Sequence, residues 1–177
     1  MKTALAAATV LALAATPAAA TCLSMEGPPP GATAGVGPLA TFPDGNVFLR
    51  PFLNGAGWTS LGSSTIYVSG YAGGSPVQER GLNNINLHVH PTVGVTSATF
   101  AYADFGGNIN MRVNGGFIST GDLSALPPIM GGAAVTVTRI NFFSYHMGTV
   151  TLTALGAGTI TDFAVGGQEF LVDDVCW

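Results

Sequence analysis

The sequence predicts an all-β fold, an antiparallel β-sandwich of jelly-roll type with about ten short strands, on three observations. Short runs alternate apolar with polar residues, and β-branched residues recur in them. Glycine is abundant, with 25 among 177 residues, a content that favours turns and strand breaks over helices. Turn signals separate the runs along the whole chain: Pro28-Pro29-Pro30-Gly31, Asp44-Gly45, Gly73-Gly74, Gly106-Gly107, Asn114-Gly115-Gly116, Gly131-Gly132 and Gly166-Gly167.

The runs place strands at Leu23–Glu26, Val47–Phe52, Thr65–Ser69, Ile85–His90 and Ala98–Ala103 in the first part of the chain. The second part adds Asn108–Asn114, Ala133–Ile140, Thr149–Ala154, Thr159–Val165 and Phe170–Val175. The Pro/Gly-rich segment from Gly27 to Pro38 reads as a long surface loop. Alternation gives each strand two faces. Ile85, Leu87 and Val89 are expected in the core, which turns Asn86, His88 and His90 to the other side, with Asn84 preceding them in register. Ile109, Met111 and Val113 likewise face inward, leaving Asn108, Asn110, Arg112 and Asn114 outward.

Residues 1–20 read as a cleavable signal peptide. Lys2 precedes an Ala/Leu run, Thr16-Pro17 breaks it, and Ala18-Ala19-Ala20 offers the small residues of a cleavage site. The expectation is export to a periplasmic or extracellular space and a single domain over residues 21–177. Removing Lys2 leaves four arginines against nine acids, a net charge of −5. A surface without clustered positive charge argues against nucleic acid as a partner. No second apolar run is long enough for membrane insertion after the signal is removed. Charged residues are 8% of the chain against about 25% in ordinary domains, so Asn, Thr, Ser and Gly must supply most of the surface. The two cysteines, Cys22 and Cys176, bracket the mature chain, and an oxidising compartment favours a bridge between them. Closing a loop of about 155 residues is worth about 4–5 kcal/mol on the chain-entropy account.

His88-Val89-His90 is the one constellation with metal-ligand spacing. Two imidazoles on one strand face could bind zinc if His146 joined them, which makes a zinc enzyme the alternative function. The sequence carries no Gly-x-Ser-x-Gly elbow, His-Glu-x-x-His helix, phosphate loop or dinucleotide fingerprint.

The run Gly166-Gly167-Gln168-Glu169-Phe170-Leu171-Val172-Asp173-Asp174-Val175 resembles the last strand of secreted jelly-roll modules of the carbohydrate-binding and galactose-binding-like kind. The opening Cys22-Leu23-Ser24-Met25-Glu26-Gly27 is similar to their first strand. The resemblance covers about 15 residues at the two ends. It implies a structural calcium held by Glu26 with Asp173 or Asp174. Such an ion takes six to eight oxygens, backbone carbonyls among them. The resulting expectation is a non-enzymatic recognition or adhesion module for a neutral extracellular ligand, a glycan in the first place. Tyr67, Asn84, Asn86, His88, His90, Asn110 and Arg112 are its candidate contacts. A surface protein that self-associates through its low-charge face is the remaining reading.

Overall fold

The computed structural model describes residues 20–23, 25–72 and 78–177. The expected signal peptide falls outside these residues, apart from Ala20. Sixteen strands form among them: β1 (Cys22–Leu23), β2 (Thr33–Ala34), β3 (Gly37–Phe42), β4 (Gly45–Asn54), β5 (Gly57–Thr59), β6 (Ser63–Val68), β7 (Gln78–Asn83) and β8 (Ile85–Pro91). The chain continues through β9 (Ser97–Asp104), β10 (Ile109–Val113), β11 (Gly116–Thr120), β12 (Ile129–Met130), β13 (Ala133–Asn141), β14 (His146–Ala154), β15 (Phe163–Gly167) and β16 (Phe170–Cys176). The one helical element is a 3-10 turn at Leu123–Ala125, so no helix among the described residues is long enough to cross a membrane.

Two antiparallel sheets pack face to face. The larger runs β12-β13-β14-β9-β16-β7-β6-β2, with β1 also paired to β16. The smaller runs β11-β10-β15-β8-β4-β3, with β5 on β4. Consecutive strands cross repeatedly from one sheet to the other: β7 to β8, β8 to β9, β9 to β10, β14 to β15 and β15 to β16. That alternation is the winding of a jelly roll. The core lies between the sheets, built from one face of each strand. Val47 and Leu49, Ile85, Leu87 and Val89, Phe100 and Tyr102, and Ile109, Met111 and Val113 are all at most 1% exposed. The alternation read from the sequence is therefore the packing pattern of the sandwich.

Several strands were not legible. Thr33–Ala34 and Gly37–Phe42 lie in or beside the segment expected to be a loop, because β6 and β4 offer them edges to pair with. Gln78–Asn83 is polar and lacks alternation, yet it forms β7 between β16 and β6. Arg80 is buried there and donates to Ser64 Oγ at 2.8 Å, while burial pushes its guanidinium pKa down. The expected strand at Thr159 begins only at Phe163. Ile160 instead makes an isolated bridge to Val95.

Cys22 and Cys176 are disulfide-bonded and stand opposite one another in the β1–β16 register. Thr21 and Trp177 exchange backbone hydrogen bonds of 2.9 and 2.8 Å just beyond them. The two ends of the domain are thus laced together, as the cysteine positions implied.

Candidate functional site

The outer face of the smaller sheet carries a groove of about 380 Å³, within the size range of small-ligand sites. Strand register explains which side chains meet there. Arg50, Asn86, Gly166, Asn110 and Ser119 form one row across β4, β8, β15, β10 and β11. Phe48, His88, Ala164, Arg112 and Phe117 form the next row. Central strand β15 contributes only Gly166 and Ala164, so its backbone forms a low floor between taller neighbours. Trp58, on the short strand β5, packs against Phe117 with ring centroids 5.4 Å apart and builds one wall. Trp58 remains 61% exposed, an unusual state for indole and a feature of recognition surfaces.

The polar groups are held firmly. Asn86 is buried and donates from Nδ2 to the Pro51 carbonyl at 2.6 Å, while its Oδ1 has no partner. Asn110 is also buried. With its amide oriented to suit its neighbours, its nitrogen donates to the Leu53 carbonyl and to Ser119 Oγ, each at 3.2 Å, and its oxygen accepts from Leu53 N–H. Both asparagines therefore tie the strand face to the end of β4.

Asp162 bridges the second row. Its Oδ2 accepts from Arg112 Nε at 3.0 Å and lies 3.1 Å from His88 Nε2. Asn114 places it there. The Asn114-Gly115 turn has φ of 45° and 83°, the double left-handed step that joins β10 to β11. From that turn the Asn114 side chain donates to the Thr159 carbonyl and accepts from Thr161 N–H, both at 2.8 Å. Its backbone N–H donates to the Asp162 carbonyl at 2.9 Å. His90 follows along β8, its ring centroid 4.2 Å from that of His88 and 5.9 Å from that of Phe48. Arg50 lays its guanidinium over Phe48, 4.6 Å from the ring centroid.

Burial lowers the His88 pKa below the ordinary imidazole value. The hydrogen bond to Asp162 works in the opposite direction, and His90 adds to the lowering. A lowered folded-state value means that the unfolded chain takes up this proton first as pH falls. The His88 contribution to stability is therefore present above about pH 6.5 and lost below it. We expect His88→Gln, which can still donate to Asp162, to lose less melting temperature than the wild type between pH 7.5 and 5. Equal losses in paired thermal melts would show that His88 is not the titrating group.

The sequence-derived candidates divide. Asn86, His88, His90, Asn110 and Arg112 do share one face. Asn86, His88 and His90 are more exposed than Ile85, Leu87 and Val89, although Asn86 is itself only 6% exposed. Asn84 sits in the β7–β8 turn with φ of 54° and donates to Asn83 Oδ1. Tyr67 lies on the larger sheet with its ring over Gly81, so that a Cβ there would displace the ring. His146 begins β14, also in the larger sheet, opposite Asp104 and Asn141. It does not meet His88 and His90, which lie in the smaller sheet.

Sequence reading missed Trp58, Phe117, Arg50 and Phe48 as contacts. The signal for Phe48 and Arg50 was present in the alternation Val47-Phe48-Leu49-Arg50, which turns both outward. Trp58 and Phe117 lie on strands that carried no such pattern.

On the larger sheet, Asp173 is 4% exposed and Asp174 is exposed, turned outward by a φ of 47° at an irregularity in the β16–β9 pairing. Burial raises the Asp173 pKa to about 6. The Asp174 N–H opposes that rise, and the charges of Asp174, Glu79 and Glu26 reinforce it. Asp173 Oδ1 accepts from Asp174 N–H at 2.9 Å, while Oδ2 is buried without a partner. Glu26 Oε1 accepts from Gln78 N–H at 3.0 Å, and Glu79 takes hydrogen bonds from Ser69 and from Ala72 N–H. Among the described residues, no group of three or more His, Cys, Asp or Glu is arranged to hold a metal. No protein-family model, curated protein or solved structure matches this chain.

Proposed function

We propose that this chain is a secreted recognition module that binds a glycan in the groove of the smaller sheet and catalyses no reaction. The observation that carries the reading is the pairing of a half-exposed Trp58–Phe117 wall with hydrogen-bonding side chains on a fixed strand face. A sugar ring has apolar C–H faces and a polar rim. An aromatic wall accepts the first, while His88 and Arg112 can meet the second. The supporting chemistry is that of binding. Asp162 is the single carboxylate found at the groove among the described residues, and it is already shared by His88 and Arg112. Hydrolysis by the two-carboxylate route needs a second acid facing it. Export rests on the leader-like residues 1–20.

Titration calorimetry against a panel of soluble oligosaccharides tests the reading. Trp58→Ala is expected to weaken the best ligand by about 2 kcal/mol, or roughly thirtyfold, with no change in melting temperature beyond a degree or two. Absence of binding across the panel, or a Trp58→Ala protein that binds as well as the wild type, would defeat it.

The reading includes a structural calcium centred on Asp173. Its support is the partnerless buried Oδ2 and the carboxylates of Glu26, Glu79 and Asp174, whose charges all act on Asp173. With so few side-chain ligands at hand, the ion would draw most of its oxygens from backbone carbonyls. Calcium is expected to raise the melting temperature and chelation to lower it, and Asp173→Asn should remove the difference. Superimposable melts with calcium and chelator would leave Asp173 as a buried acid. It would then cost stability as pH rises from about 4 through 6, because the folded state holds its proton more tightly than the unfolded one.

A further inference from the structure

We propose that the sugar taken by this groove carries an anionic group, a carboxylate in the first instance, gripped between Arg50 and Arg112. This rests on the glycan reading and names its ligand class. The chain as a whole is acidic, at −5 once Lys2 is set aside, which by itself suggests a neutral ligand. The distribution of its cations says otherwise. The mature region has four arginines. Arg80 is buried on Ser64, and Arg139 is paired with Asp122. The other two, Arg50 and Arg112, both line the groove.

Arg50 has no acidic partner there among the described residues, and Arg112 is only partly neutralised by Asp162. Arg50 is exposed and rests on the Phe48 ring, and among the described residues no carboxylate lies within ion-pair distance of it. Arg112 gives only its Nε to Asp162, and its side chain is 44% exposed. Its two terminal nitrogens make no hydrogen bond among the described residues. With one Asp162 against two guanidinium groups, the groove holds a net positive charge on an otherwise acidic protein.

The arrangement suits a small rigid anion. Arg50 is on β4 and Arg112 on β10, three strand spacings and one side-chain row apart, so their backbones are about 16 Å from each other. Both side chains line the groove, whose volume of about 380 Å³ over the low Ala164–Gly166 floor leaves room for one or two sugar rings. A guanidinium fork matches the two oxygens of a carboxylate, and stacking on Phe48 pre-orients that of Arg50. The Trp58–Phe117 wall is then left to meet the apolar face of the ring.

The test compares three ligands on the full mature protein: a hexuronic acid tetramer, the same tetramer with its carboxylates reduced to alcohols, and a sulfated neutral tetramer. At low salt, one of the two anionic tetramers is expected to bind at least about tenfold tighter than the reduced one. Whichever binds better identifies the anion. The preference should shrink as salt rises. Arg50→Gln and Arg112→Gln should each remove about half of it on a logarithmic scale, whereas Trp58→Ala should weaken all three ligands together. Equal affinity for anionic and reduced tetramers would overturn the charge assignment and leave the glycan reading standing. Binding of none of the three would overturn both. An anionic preference that persists in the Arg50→Gln/Arg112→Gln double variant would place the anion elsewhere on the molecule and overturn this assignment.

Discussion

Replacing Cys22 and Cys176 together by serine is expected to lower the unfolding free energy by about 4–5 kcal/mol. The bridge joins residues 154 positions apart in sequence, so cutting it releases nearly all of residues 21–177 in the unfolded state. Folded-state losses are smaller. β1 keeps only a two-residue ladder against β16, together with the Thr21–Trp177 pair beyond it. Urea unfolding of the double variant, beside wild type with and without reductant, measures the effect. A loss below about 1 kcal/mol would mean that the unfolded chain is already compact enough for the cross-link to constrain little. The variant should also weaken any calcium response, because β1 leads directly into the segment that carries Glu26.

Gly166→Ala is expected to cost about 2–3 kcal/mol and to abolish groove binding. A Cβ at this position would fall inside the van der Waals envelope of the Ile85 carbonyl oxygen and lie 2.7 Å from Asn86 Cα. Both atoms belong to β8, hydrogen-bonded to β15 along this row, so neither can move without opening the sheet. Asn86 would be pushed off the Pro51 carbonyl and into the groove. Gly35→Ala is the matching control, since nothing lies within 4 Å of a Cβ built there and its backbone is not left-handed. That control should fall within about 0.5 kcal/mol of wild type. A Gly166→Ala protein with wild-type stability and wild-type ligand binding would show that the floor of the groove is not as tight as its geometry states.

Period-two alternation made the main strands and the core legible. Ile85, Leu87 and Val89, and Ile109, Met111 and Val113, could be assigned inward because burying one face of a strand leaves a single consistent register. The terminal cysteines announced their own pairing, and Asn114-Gly115-Gly116 marked a turn. The polar partners in those alternations were correctly placed on one outer face.

Other features depended on pairing between distant segments. β7 is a strand because β6 and β16 flank it, although Gln78-Glu79-Arg80-Gly81 has no strand pattern of its own. β5 and β11 exist as edges extending β4 and β10, and they alone bring Trp58 beside Phe117. Asp162 reached His88 and Arg112 through an asparagine turn 48 residues earlier in the chain. Tyr67 and His146, which residue chemistry favoured as partners of the histidine strand, were carried to the other sheet by the jelly-roll winding. By itself, then, the sequence determined which apolar residues face the core and which strand faces are polar, because that partition follows from local hydrophobic period. Which polar residues meet was decided only by the tertiary structure, because strand order is settled by long-range hydrogen bonding and burial that no local stretch of sequence records.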